Sequence, residues 1–77
     1  GYLLAGMALQ KRGSLDESLR MFDRAAELSP RDAAPLILRG ISLERAGRKT
    51  AAAEAYREAL RRQPADARAQ KLLSNVQ

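Results

Sequence analysis

Sliding the chain along itself brings a repeat into register at a shift of 34 residues, and that period constrains the fold more than any other property of the sequence. At this shift Leu4 falls on Leu38, Gly6 on Gly40, Leu9 on Leu43, Gly13 on Gly47, Ala25 on Ala59, Pro30 on Pro64 and Asp32 on Asp66. Phe22 meets Tyr56, Met7 meets Ile41 and Lys11 meets Arg45. The matched set includes glycines and a proline, which punctuate the local backbone, so an architecture repeats and not only a composition.

Each unit reads as two helices. The first runs from about Gly1 to Arg12 and stops at Gly13, a residue free to take the left-handed conformation that ends a helix. Ser14-Leu15-Asp16-Glu17 has the spacing of a capping box and opens the second helix. Leu15, Leu19, Phe22, Ala25, Ala26 and Leu28 follow at helical spacing until Ser29-Pro30, where proline cannot continue a helix interior. Asp32 caps a third helix with Pro35 in its first turn, running to Ala46-Gly47. A fourth helix spans about Thr50 to Gln63, and a fifth follows Asp66 to the chain end. Connections this short leave neighbouring helices antiparallel. The expected architecture is all-α with about five helices.

Seventy-seven residues make one small domain with a modest core. Aromatics are only 4% of the chain (Tyr2, Phe22 and Tyr56), so that core is expected to rely on Leu, Ala, Ile and Met. The absence of Cys and His removes disulfides, thiolate or imidazole zinc sites and triads of the Ser-His-Asp kind, and no cofactor is expected. Asp16 with Glu17, and Asp23 with Glu27, are explained by helix-start electrostatics and ordinary surface spacing, so no enzyme activity is expected. No uncharged apolar run reaches the ~20 residues that span a bilayer. Gly1 to Leu9 is apolar but lacks the flanks of a secretory signal. The sequence reads as soluble, with cytoplasmic and periplasmic placement equally compatible.

The 34-residue two-helix unit resembles the tetratricopeptide repeat family. Tyr2, Gly6, Leu9, Phe22, Ala25 and Pro30 carry the likeness in the first unit, and Leu36, Gly40, Leu43, Ala52, Tyr56, Ala59 and Pro64 in the second. Ala5, Ser18 and Arg39 depart from the family pattern. The resemblance implies antiparallel helix pairs stacked as a short right-handed α-solenoid, with repeats at residues 1–32 and 33–66 and a capping helix at 67–77. Small residues at Gly6, Gly40, Ala25 and Ala59 then allow close approach within a pair, and Phe22 and Tyr56 are expected to fill the space between pairs. Tyr2 comes almost at once, which reads as a chain starting inside its first helix, as one taken from a longer array would.

A protein-interaction scaffold or adaptor is the function this family implies. Its first helices line a concave groove for a peptide or helix of a partner, here Leu3, Met7 and Gln10 from the first helix, Ile37, Ile41 and Glu44 from the third, and Arg68, Lys71 and Asn75 from the fifth. Members that clamp a C-terminal carboxylate place polar side chains where this chain has Leu3, Met7 and Leu38, and only Arg68 fits such a clamp. An amphipathic helical ligand with apolar anchors is the better match. No charged residue occurs between Gly1 and Gln10, so Leu3, Leu4, Met7, Ile37 and Ile41 are expected to form an apolar surface that upstream repeats, a partner or a second copy covers through the first and third helices.

Charge suggests the alternative. Residues 1–38 are neutral, with five basic and five acidic side chains, whereas residues 39–77 hold nine basic and four acidic and carry the whole +5. Arg57, Arg61 and Arg62, with Arg45, Arg48 and Lys49 near the preceding turn, would suit RNA or an acidic partner. Two features weigh against nucleic acid. No aromatic free to stack on bases is interleaved with these cations, and Glu54 and Glu58 stand at ion-pair spacing from the arginines.

Overall fold

The structure, a computed structural model, describes all residues from Gly1 to Gln77. Five helices follow one another: α1 (Tyr2–Arg12), α2 (Leu15–Leu28), α3 (Ala34–Arg45), α4 (Lys49–Arg62) and α5 (Ala67–Val76). Helix α1 packs on α2, α2 on α3, α3 on α4 and α4 on α5, so each helix lies against its sequence neighbours as in a stack of helical hairpins. The fold is the all-α solenoid that the period predicts.

Both within-pair turns are built alike. Gly13 (φ 81°) and Gly47 (φ 79°) take the left-handed conformation. Their N–H groups donate to Gln10 and Glu44, and those of Ser14 and Arg48 reach back to the carbonyls of Leu9 and Leu43 at 2.9 Å. This pair of bonds satisfies carbonyls that the helix end would otherwise orphan.

So short a turn defeats the expected capping box. Ser14 must close α1 and open α2 at once, which holds it at φ −85°, ψ 79°, and its hydroxyl makes no cap bond. The extended backbone that aims a side chain at the first N–H groups is absent there. Helix α4 likewise starts at Lys49 with Arg48 before it, one residue ahead of Thr50. The longer connection before α5 leaves Asp66 extended (φ −68°, ψ 108°), and its carboxylate accepts the Ala69 N–H at 2.9 Å. Asp32 accepts the Ala34 N–H at 3.0 Å in the same spirit.

Packing refines one expectation and corrects another. A Cβ built on Gly6 would meet Phe22 Cε1 at 2.5 Å, and one on Gly40 would press still closer on Tyr56 Cε1. Each ring fills the space opposite the glycine of its own pair, and the cluster around Tyr56 also takes in Leu72, Leu73 and Val76 of α5, so that ring bridges its pair to the next helix as expected. The core is mostly alanine, joined by Leu36, Ile37, Leu43, Phe22 and Tyr56. Neither methionine belongs to it, because Met7 is 42% exposed and Met21 is only half-buried. Small residues let the helices approach closely, so few large side chains are needed between them.

Contacts between pairs are both apolar and polar. Ala26, Ala33, Leu36, Ile37, Ala59 and Ala69 form one cluster across α2 to α5. Arg39 pairs with Asp23 at 3.2 Å, and Arg62 donates to the Ala26 carbonyl at 3.0 Å, supplying a partner for one of the last carbonyls of α2.

Candidate partner-binding groove

Of the first helices of the pairs, α1 touches α3, and α3 meets α5 through side chains of the core cluster. Gln10 bridges α1 to α3, its amide nitrogen donating to the Leu38 carbonyl at 3.1 Å and to the Ser42 hydroxyl at 2.8 Å. Between α3 and α5 lies an open depression of ≈ 270 Å³ lined by Ile41, Glu44, Arg45 and Leu72. Its floor is aliphatic and its rim charged.

The nine residues expected along the groove take different places. Ile41 and Glu44 meet in the depression, and Arg68, Lys71 and Asn75 are exposed on α5. Met7 is exposed on α1. Gln10 is half-buried and committed to α3 through the two bonds above. Leu3 turns to the other end of α1, where it lines a hollow with Tyr2, Ala25, Leu28 and Pro35. Ile37 is 3% exposed and belongs to the core cluster that includes Ala69 of α5 and has Leu72 packed against it. It offers little surface of its own to a partner.

Two residues of the depression, Arg45 and Leu72, are absent from the sequence-based set. Helical spacing holds a signal for both, since Arg45 follows Ile41 by four positions and Leu72 follows Arg68 by four.

The polar anchor of this face is Tyr56. Its ring is fully buried and its hydroxyl donates to Glu44 Oε1 at 2.8 Å. Burial, the hydrogen bond to Glu44 and the charge of that carboxylate together push the phenol well above its ordinary value, with Arg68 opposing them. At neutral pH Tyr56 is therefore a fixed donor that orients Glu44 at the groove rim.

Ion pairing removes part of the basic cluster. Glu58 pairs with Arg61 at 2.7 Å and Arg62 at 3.8 Å, while Glu54 pairs with nothing, leaving Arg57 without a carboxylate. Arg45, Arg48, Lys49, Arg68 and Lys71 also make no ion pair. No group of three or more acidic side chains is placed to hold a metal ion, and no helix is long and apolar enough to cross a membrane.

Stacked helical hairpins of this kind define a helical-repeat module. The tetratricopeptide repeat family model matches residues 3–67 and 37–76, and the chain belongs to that family. Domains of this family are in general non-catalytic modules that bind protein partners. A search of curated proteins returned no match.

Proposed function

We propose that this chain is a scaffold or adaptor module that holds a peptide or helix of a partner protein along α1, α3 and α5. The observation that carries the reading is the aliphatic depression between Ile41 and Leu72, rimmed by Glu44 and Arg45, on helices that adjoin without filling it. Exposed Met7 extends the apolar character toward α1, and exposed Arg68, Lys71 and Asn75 supply polar contacts on α5. Affinity capture with the natural chain and with a Met7→Ser, Ile41→Ser variant tests the reading. A protein retained by the first and lost from the second supports it, whereas equal retention moves the binding surface elsewhere.

Self-association is a second reading, favoured by one observation. Tyr2, Leu4 and Met7 of α1 and Leu28 of α2 are exposed at 37%, 69%, 42% and 70%, while Gly6 is the one buried residue of α1. Apolar exposure concentrated at one end of a stack is a surface that a second copy can cover.

A further inference from the structure

Packing leaves the α3–α5 half of the groove with charges it does not use. Arg45, Arg68 and Lys71 take part in no ion pair, while Glu44, the carboxylate at the rim, is engaged by the Tyr56 hydroxyl at 2.8 Å. Arg68 stands one helical turn before Leu72 on α5 and so shares a face with that lining residue. The depression itself, ≈ 270 Å³, is open to solvent and has room for an inserted aliphatic side chain.

A partner that covers Ile41 and Leu72 also strips water from the cations around them. Desolvated guanidinium groups without acceptors are costly, so neutral or basic partners are penalised and acidic ones favoured. Charge over the wider surface acts in the same direction, because residues 39–77 carry the entire +5. RNA would meet the same cations but find no ring to stack on. Phe22 and Tyr56 are 0% exposed, and Tyr2 is far along α1 with Arg24 already over its ring at 5.7 Å.

We propose that the α3–α5 half of the groove receives an acidic protein segment, which inserts an aliphatic side chain between Ile41 and Leu72 and sets side-chain carboxylates against Arg45 and Arg68. This rests on the groove reading above and adds the partner's chemistry to it. The two arginines stand on the two helices that flank the depression, so carboxylates on both sides of one aliphatic residue match the site. Lys71, one turn along α5 from Arg68, extends the positive rim.

Fluorescence anisotropy on the full chain tests this with four labelled probes. One is an end-blocked peptide with leucine at every third or fourth position and glutamate elsewhere, a second has glutamine for glutamate, a third has serine for leucine, and the last is a uridine oligomer of equal length. The glutamate–leucine peptide should bind at least ~10-fold more tightly than either altered peptide. An Arg45→Glu, Arg68→Glu variant should lose about that factor for the glutamate–leucine peptide and little for the glutamine peptide. Both side chains are exposed and unpaired, so an unchanged far-UV circular dichroism spectrum is expected for this variant.

If the glutamine peptide binds as tightly as the acidic one, with the affinity of both lost in Ile41→Ser, the acidic partner is overturned while the groove reading stands. If binding ignores Ile41→Ser and the two arginines alike, both fall. Tighter binding of the uridine oligomer, lost with the arginines, would reassign the face to RNA. No binding of the acidic peptide at ~1 mM would also overturn the proposal.

Discussion

Gly40→Ala isolates the close approach on which the second helix pair depends. One methyl group is added, and a Cβ at this position would collide with three atoms of the Tyr56 ring, Cε1, Cδ1 and Cζ. That ring has nowhere to go, since it is 0% exposed and its hydroxyl is held by Glu44. Overpacking of this kind costs ~1–3 kcal/mol. Against it stands the better helix propensity of alanine, worth ~1 kcal/mol at an interior position such as this. A pinned ring places the penalty in the upper part of its range, so the net loss should be ~1–2 kcal/mol, or roughly 5–15 °C in melting temperature for a domain of this size.

Far-UV circular dichroism during urea and thermal melts measures it, and a double-mutant cycle supplies the control. Leucine at position 56 lacks the Cε1 and Cζ atoms that meet the new methyl group, so Gly40→Ala should cost much less in a Tyr56→Leu background. Gly47→Ala offers a contrast. Nothing lies within 4 Å of its Cβ position, and its penalty comes from φ 79° alone. That penalty should be unaffected by Tyr56→Leu. A Gly40→Ala chain as stable as the natural one, or a cost independent of the residue at 56, would refute the packing argument.

Four other outcomes follow from the same geometry. Phe22→Ala should cost ~3–5 kcal/mol, a large part of the stability of a domain this small, and thermal melts read it directly. Asp66→Ala should lose ~0.5–2 kcal/mol in urea melts because it removes the one side-chain cap of α5, whereas Ser14→Ala should be nearly silent because that hydroxyl caps nothing. Tyr56 has its folded pKa raised above the unfolded value near 10.0, so its contribution is fully present below pH 10.0 and is lost as the pH rises through the folded value; Tyr56→Phe should flatten that alkaline loss in pH-dependent melts. Sedimentation at ~1 mM should find the natural chain associated and a Leu4→Lys, Met7→Lys variant monomeric and still helical, and a monomeric natural chain would remove the self-association reading.

What could be read from the residues follows from their type and spacing. Gly13 and Gly47 announce their turns because only a left-handed residue closes a connection so short, and Pro30 and Pro64 mark the other boundaries. Ser14 misled because a capping box assumes an extended residue before the helix, and the turn that Gly13 makes forbids that conformation. Pair spacing located the glycine–aromatic partners at a fixed interval, but the contact of each ring with the glycine of its own pair depends on how closely the two helices approach. For the groove, residue class separated the apolar from the polar positions, yet the fate of Ile37 and Gln10 depended on neighbours remote in sequence. Ile37 joins a core cluster that draws on Ala26 of α2, Ala59 of α4 and Ala69 of α5, and Leu38 and Ser42 of α3 draw in the Gln10 amide.

The claim that α3 and α5 line the partner face is tested most directly by amide chemical-shift mapping on isotope-labelled chain titrated with the glutamate–leucine peptide. The account predicts the largest shifts at Ile41, Glu44 and Arg45 of α3 and at Arg68 and Leu72 of α5. Shifts gathered instead at Arg20 of α2 and at Glu54, Arg57 and Arg61 of α4 would contradict it.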